Sequence, residues 1–308
     1  MPEGHTVHRI ANLFSSLLKG SSLRASSPQG RFENGASIIS GTTLNEVEAR
    51  GKQLFLHFDA DRILRVHLGI YGKWDVFTFD GQYARGGSPK TLSLPTLVSP
   101  IEGGIEERTQ STAVPSFPPE PKGAVRLRLE SPQVVADLRG PTACEIQTPE
   151  QVLEVKSRLG PDPMVDKGVT AEREFLARLG STRRPIGAVL MDQSVVSGIG
   201  NVFRAEILFR QKISPYQAAD SLSEASVRAL WGDWSKLLAY GVKTGVMLTR
   251  LDLNQAQRKK ALRSPRDRHY VYRRQGLPCR VCGGLISLEM MLARKLYFCE
   301  HCQVEVMS

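Results

Sequence analysis

The N-terminal part of the chain combines one helical hydrophobic pattern with several strand-like ones. Apolar residues recur at helical spacing from 3 to 19, at Val7, Ile10, Leu13, Phe14, Leu17 and Leu18. Gly20 is suited to end that helix. Short runs of strand character follow over 43–47, 53–58, 63–68, 73–79 and 125–129. Residues 1–140 are therefore predicted to form one helix and a mostly antiparallel β unit.

A proline-rich stretch interrupts this unit. Residues 80–123 hold seven of the 18 prolines, together with several Gly and Ser. Such a composition is typical of long loops that pack no core of their own. We predict a flexible insertion between strands here.

Helical periodicity begins at Pro149. Candidate helices cover 149–159, 171–179, 184–192, 201–211, 223–241 and 243–250, with Gly and Pro between them. The polar, basic stretch 252–270 is predicted to be a mobile linker. The pattern gives three domains, at 1–140, 149–262 and 270–308.

The charge distribution narrows the choice of partner. The net charge is +10, and the segment from Arg250 onward carries 12 basic and 5 acidic residues. A basic C-terminal end favours nucleic acid as the binding partner. The alternative is that the basic residues only keep the surface solvated. The 41% hydrophobic content supports a sizeable core and excludes a disordered polyelectrolyte. No apolar run approaches a membrane span, and the N-terminus does not resemble a signal peptide, so we expect a soluble, cytoplasmic protein without disulfides.

Four cysteines near the C-terminus have the spacing of a zinc site. Cys279, Cys282, Cys299 and Cys302 form C-x2-C-x16-C-x2-C, and strands at 285–288 and 295–298 can form a β-hairpin between the pairs. A closed set of four thiolates is structural rather than catalytic. One structural Zn²⁺ is the prediction, and four buried free cysteines are the alternative. Cys144 stands alone and is expected in the core.

Two further segments carry candidate chemistry. Removal of Met1 would leave Pro2 with a secondary amine, which can attack a sugar carbon and form an iminium ion, while Glu3 moves protons. Ser197-Gly198-Ile199-Gly200-Asn201 can form a turn whose N–H groups converge on an anion, with Asn201 as a helix cap. Each segment has a plain alternative, namely a simple start sequence and an ordinary interhelical turn.

Taken together, these features resemble the Fpg/Nei family of bifunctional DNA glycosylases, and most of all its actinobacterial endonuclease VIII branch. The motifs that carry the resemblance span almost the whole chain in order: Met1-Pro2-Glu3-Gly4, Arg50-Gly51-Lys52-Gln53, Leu159-Gly160-Pro161-Asp162, Leu190-Met191-Asp192-Gln193 with Gly198-Ile199-Gly200-Asn201, and the four-cysteine module. The resemblance implies an α+β multidomain fold. Its parts would be an N-terminal β-sandwich with flanking helices, a helical helix–two-turn–helix domain and a C-terminal zinc-finger β-hairpin.

The resemblance also implies residue roles. Pro2 would be the Schiff-base nucleophile and Glu3 the acid/base, Lys52 would contact phosphate and assist β-elimination, and Arg294 would assist δ-elimination. Asn201 and Arg158 would bind the DNA backbone. His67-Leu68-Gly69-Ile70-Tyr71 matches the loop that inserts side chains into the duplex, so Ile70 and Tyr71 would fill the gap left by a flipped nucleotide. Surface or core positions remain the alternatives for Lys52, Arg294, Ile70 and Tyr71.

The predicted function is base-excision repair by a monomeric bacterial enzyme that binds damaged double-stranded DNA in the nucleoid. It would be a DNA glycosylase and an AP lyase that removes oxidised bases, with pyrimidines the first choice. An abasic-site-preferring lyase, a catalytically silent DNA-binding protein and a zinc-ribbon RNA-binding protein are the rival interpretations.

Overall fold

The computed structural model describes residues 2–80, 83–86 and 117–304. Contacts divide the chain into two compact units. The first contains Pro2, Ile10–Glu48 and Gln53–Val152, and the second contains Glu3–Arg9, Ala49–Lys52 and Leu153–Ser308. Two short N-terminal segments are thus built into the C-terminal unit.

The first unit is a β-sandwich, and its strand pairs with a defined register are all antiparallel. Its nine strands follow the order β6-β5-β8-β7-β1-β2-β3-β4-β9. Their bounds are β1 Ser22–Ser26, β2 Thr42–Arg50, β3 Gln53–Phe58, β4 Arg62–His67, β5 Lys73–Thr78, β6 Tyr83–Gly86, β7 Val125–Glu130, β8 Val134–Arg139 and β9 Ala143–Gln147. Only two residue pairs join β1 to β2. The junction between the two halves of the β-sandwich therefore lies between these strands.

Two helices accompany the strands. Helix α1 spans Gly4–Leu17 and helix α2 spans Glu33–Ile39. The buried side chains of α1 follow the predicted helical spacing, and Phe14 packs edge-on against Trp74 with ring centroids 4.9 Å apart. Gly20 adopts a φ of +80°, which suits the residue predicted to end the helix.

The predicted strand set was correct but incomplete. Each of the five predicted runs coincides with a strand to within a few residues, whereas β1, β6, β8, β9 and helix α2 were not anticipated. The predicted insertion at 80–123 lies outside the described residues over 81–82 and 87–116. Its described part includes β6, which pairs with β5 and so belongs to the sheet.

The second unit is helical and ends in a β-hairpin. Its elements are α3 Pro149–Ser157, whose first four residues belong to the first unit, α4 Val169–Gly180, α5 Ile186–Val189, α6 Asn201–Arg210, α7 Glu224–Thr244, α8 Gln255–Arg263, β10 Ser287–Met291 and β11 Arg294–Phe298. Phe203 of α6 and Trp234 of α7 meet at 4.6 Å in its core. Strands β10 and β11 form the predicted zinc-module hairpin.

Two predictions for this unit were wrong. Residues 252–270 are not a structureless linker, because α8 lies within them, with Asn254 and Gln257 forming a reciprocal capping box at its start. Residues 246–250 are not helical, because α7 ends at Thr244 and Gly245 takes a left-handed φ of 72°. Within the part of the chain that the structure describes, every helix is too short or too polar to cross a bilayer.

Candidate functional site

A buried carboxylate lies at the N-terminus of α6. Glu3 is fully buried, and its side chain accepts hydrogen bonds from the backbone N–H groups of Gly200 at 3.1 Å, Val202 at 2.8 Å and Phe203 at 3.2 Å. A helix N-terminus offers unpaired N–H groups and a partial positive charge, so it favours an anion. Burial raises the pKa of Glu3, and the charge of Lys52 opposes that rise.

The glycine turn before α6 is shaped around this carboxylate. A Cβ on Gly200 would lie 2.4 Å from Cδ of Glu3, so only glycine fits there. The prediction that this turn gathers N–H groups around an anion is confirmed, and the anion is Glu3 itself. The predicted cap was wrong, because Asn201 is the first residue of α6 and the capping position is Gly200, which has no side chain.

The amino group of Lys52 lies beside this site. Its Nζ donates to the carbonyl oxygen of Ile199 at 2.5 Å. Burial lowers the pKa of Lys52 to about 8, the charge of Glu3 acts in the opposite direction, and the charge of Arg294 lowers it further. Glu3 and Lys52 thus have pKa values shifted toward each other, which is characteristic of groups that exchange protons near neutral pH.

A hydrogen-bond network fixes the backbone next to Lys52. The N–H of Gly51 donates to Oδ2 of Asp162 at 2.6 Å, and the same oxygen lies 2.7 Å from Nε2 of His8. Arg50 donates to both carboxylate oxygens of Asp166 at 3.1 and 2.8 Å. The Leu159–Asp162 motif therefore holds the segment that precedes Lys52. This role of Asp162 was not predicted from the motif.

Gln193 supports the turn from the other side. Its side-chain amide donates to the carbonyl of Ile199 at 3.0 Å and accepts from the N–H of Gly198 at 3.0 Å. The N–H of Gly4 donates to the carbonyl of Gly198 at 2.9 Å. The N-terminal segment, the glycine turn and the Gln193 motif are thereby bonded to one another within the second unit.

The four cysteines form the predicted metal site. Their sulfur atoms all lie within 4.8 Å of one another, with Cys279 and Cys302 at 3.9 Å and Cys282 and Cys299 at 3.5 Å. Four thiolates around Zn²⁺ at about 2.3 Å would be separated by about 3.8 Å, so the cluster fits a structural zinc ion. The side chain of Gln303 donates to the carbonyl of Ile213 at 2.9 Å and ties the module to the helices.

The other predicted site residues lie in different settings. Pro2 is buried and directly precedes Glu3. Ile70 and Tyr71 lie in the turn after β4, closed by the N–H of Gly72 donating to the carbonyl of Leu68 at 2.9 Å, and Tyr71 is 81% exposed. Arg158 is exposed and pairs with Glu154 one turn earlier.

Two buried charged residues of α6 were missed by the sequence analysis. Glu206 accepts hydrogen bonds from the N–H groups of Tyr270, Val271 and Tyr272, each at 2.8 Å, and from the hydroxyl of Thr249. It therefore fixes the segment that leads into the zinc module. The second is Arg204, which contacts β11. A charged residue in an otherwise apolar helix was the available signal for both.

The prediction that the lone cysteine lies in the core was wrong, because Cys144 is half-buried on a strand at the edge of the sheet. Cys144 lies on β9, and burial raises the pKa of its thiol to about 12. A thiol that stays protonated is a poor nucleophile.

Comparison with protein families gives three matches along the chain. Residues 1–141 match the Formamidopyrimidine-DNA glycosylase N-terminal domain, residues 159–252 the Formamidopyrimidine-DNA glycosylase H2TH domain, and residues 276–304 the zinc finger found in FPG and IleRS. The order agrees with the β-sandwich, the helical segment and the hairpin described above.

Individual relatives match over the full length. Endonuclease 8 1 of Mycobacterium tuberculosis is 38% identical, with 98% of this chain and 100% of the relative covered. Formamidopyrimidine-DNA glycosylase of Thermus thermophilus is 28% identical, with 99% of each covered. Among solved structures, the Lactococcus lactis Fpg complex with DNA containing an abasic site superposes with a TM-score of 0.70 at 21% identity, covering 98% of this chain and 100% of that one.

Proposed function

The chain belongs to the Fpg/Nei family of DNA glycosylases that also act as AP lyases in base-excision repair, and from this membership we propose that it removes oxidised pyrimidines from duplex DNA through a Pro2 Schiff base. The observation that carries the proposal is the buried Glu3 carboxylate at the start of α6, with the pKa of the neighbouring Lys52 lowered to about 8. Pro2 is covalently joined to Glu3, so the proposed nucleophile and its proton carrier are one residue apart.

In the first step, the Pro2 nitrogen bonds to C1′ of the damaged nucleotide. The bond between C1′ and the base breaks, the base leaves with that electron pair, and the proton that the Pro2 nitrogen gives up balances the one that the base takes up. Glu3 passes a proton to O4′, so the sugar ring opens and an iminium ion joins Pro2 to C1′. The raised pKa of Glu3 supports this role, since a carboxyl group must hold a proton in order to donate it.

Strand cleavage follows from the iminium ion, which acts as an electron sink. Loss of a proton from C2′ breaks the bond from C3′ to its phosphate oxygen, which is β-elimination. Loss of a second proton, further along the carbon chain of the opened sugar, then releases the 5′ phosphate, which is δ-elimination. A Lys52 amine with a pKa of about 8 is suited to move such a proton, and the nearby Arg294 cation is suited to stabilise a departing phosphate.

DNA contacts are proposed for the remaining predicted residues. Tyr71 and Ile70 protrude from the turn after β4 and would replace the stacking of a flipped nucleotide. Asn201 at the start of α6 and the exposed Arg158 would hold backbone phosphates. We propose that the enzyme acts as a monomer on damaged double-stranded DNA in the bacterial cytoplasm.

The choice of oxidised pyrimidines rests on the 38% identity to Endonuclease 8 1. An enzyme that prefers preformed abasic sites is the second candidate. A cleavage panel over thymine glycol, dihydrouracil, 8-oxoguanine and abasic sites separates the two. Preference for 8-oxoguanine over thymine glycol would refute the pyrimidine assignment.

Borohydride trapping on abasic DNA tests the mechanism. Wild-type protein and an exposed-lysine control, Lys236→Met, are expected to give a covalent adduct, and Pro2→Gly is expected to lose most of it. No adduct with wild type, or an unchanged adduct with Pro2→Gly, would overturn the Schiff base and favour a silent DNA-binding protein. A competition assay tests the rival RNA-binding function. Displacement of damaged duplex DNA by structured RNA would favour that function over DNA repair.

A further inference from the structure

Arg204 in the first turn of α6 is a buried cation without an acidic partner. Its side chain is fully buried, and it forms no ion pair with any carboxylate in the described ranges. Nη1 donates to the carbonyl of Gly187 at 3.2 Å, and Nε has no hydrogen-bond partner among the described residues. Burial lowers the pKa of Arg204 to about 10.

Fold stability does not account for this residue. Taking a guanidinium out of water is unfavourable unless an anion and a full set of hydrogen bonds compensate it. Apolar residues of similar volume often stabilise a protein equally well or better at such positions. A buried arginine that bonds only neutral oxygens therefore indicates a requirement other than packing.

The two hydrogens of Nη2 indicate that requirement. One is donated to Oδ1 of Asn201 and the other to the carbonyl oxygen of Lys295, at 3.0 Å for the latter. Because Oδ1 of Asn201 accepts from Arg204, the Nδ2 amino group of Asn201 remains to serve as a donor. Lys295 directly follows Arg294 on β11, so the same nitrogen fixes the backbone next to Arg294.

We propose that Arg204 is a positioning residue that presents Asn201 and Arg294 together to the backbone phosphates around the lesion. The proposal rests on the proposed function, which makes Asn201 and Arg294 phosphate ligands. Without Arg204 the Asn201 amide is free to turn its oxygen toward a phosphate, and β11 loses a hydrogen bond to α6. The occupant of this site is therefore a phosphodiester anion held by two neutral or cationic donors.

The test compares two buried arginines of the same helix. Arg204→Met removes the bridge, whereas Arg210→Met removes the arginine that pairs with Asp233 at the other end of α6. Binding to a duplex with a tetrahydrofuran abasic analogue is measured from low to high salt. Each phosphate that a lysine or arginine neutralises contributes about 0.9 to the slope of log affinity against log salt, and Arg294 is the cation concerned here. Arg204→Met is expected to flatten the slope by about that amount, and Arg210→Met is expected to keep the wild-type slope.

A second readout reports Arg294. On abasic DNA, Arg204→Met is expected to yield a smaller share of δ-elimination ends relative to β-elimination ends, which a general loss of stability would not produce. Combining Arg204→Met with Arg294→Ala is expected to flatten the slope no further than Arg294→Ala alone, because both changes remove the same cationic phosphate contact. Unchanged slope and end ratio in Arg204→Met, or additive slopes in the double variant, would overturn the proposal.

Two checks keep the result interpretable. Zinc content and thermal unfolding establish that each variant is folded, and if Arg204→Met is not, Arg204→Lys is used, since it keeps the charge but lacks the planar fork. Folded Arg204→Lys with a wild-type slope would then overturn the proposal. Failure of the wild-type protein to form a borohydride adduct would instead refute the proposed function.

Discussion

The lowered pKa of Lys52 predicts that DNA binding weakens in mildly alkaline solution. The ammonium form is needed to attract a phosphate, and with a pKa of about 8 that form is the majority at pH 7. The protonated fraction falls from about 0.9 at pH 7 to about 0.1 at pH 9. If only the cation contacts DNA, affinity falls by about tenfold over that range, with a midpoint near pH 8.

Fluorescence anisotropy of a duplex that carries a tetrahydrofuran abasic analogue measures this change. The analogue cannot form a Schiff base, so the signal reports binding alone, and ionic strength is held constant because phosphate contacts are sensitive to salt. In Lys52→Arg the guanidinium stays protonated throughout, so the fall near pH 8 is expected to disappear. Lys236→Met, which removes an exposed lysine of α7, is expected to keep the wild-type profile.

Two results would refute the reasoning. One is a wild-type affinity that stays constant from pH 7 to pH 9. The other is a fall with the same midpoint in Lys52→Arg, which would assign the titration to a different group.

Four further outcomes are expected from the structure. The unfolding free energy of the wild-type protein is expected to rise by about 3 kcal/mol between pH 8 and pH 10.5, because a buried lysine with a lowered pKa binds fewer protons when folded. Lys52→Met is expected to lack this rise, and urea titrations at several pH values measure the difference. Glu206→Gln is expected to destabilise the protein by about 3 kcal/mol, seen as a lower melting temperature, because it weakens four buried hydrogen bonds; a melting temperature equal to wild type would contradict this. Chelation of zinc is expected to unfold the hairpin and abolish DNA binding, and both are expected to recover when Zn²⁺ is added. Tyr71→Ala is expected to keep the wild-type melting temperature but to excise bases more slowly in single-turnover assays.

The sequence predicted the parts of the site that depend on local spacing. The cysteine module is an example, because two short turns and a hairpin bring the four sulfur atoms together without help from the rest of the chain. Helix α1 is another, since its apolar spacing alone determines which face is buried.

Features that depend on distant pairing were not predictable. The glycine turn was predicted to gather N–H groups around an anion, but no local pattern shows that this group is Glu3, nearly 200 residues away along the chain. Likewise, the apolar neighbours of Arg204 indicate that it is buried, but no local pattern shows that it bonds the carbonyl of Lys295 on β11. Strand β8 was missed for a related reason, since a central strand buried on both faces lacks clear alternation.

The bond between Glu3 and the start of α6 also sets when the site can exist during synthesis. A ribosome adds about 5–20 residues per second, so the first residues wait about 10–40 s before residue 200 is made. Until then, Glu3 has none of the three N–H donors that hold its carboxylate. A nascent or truncated chain that ends before Gly200 therefore carries the proposed nucleophile without the assembled carboxylate.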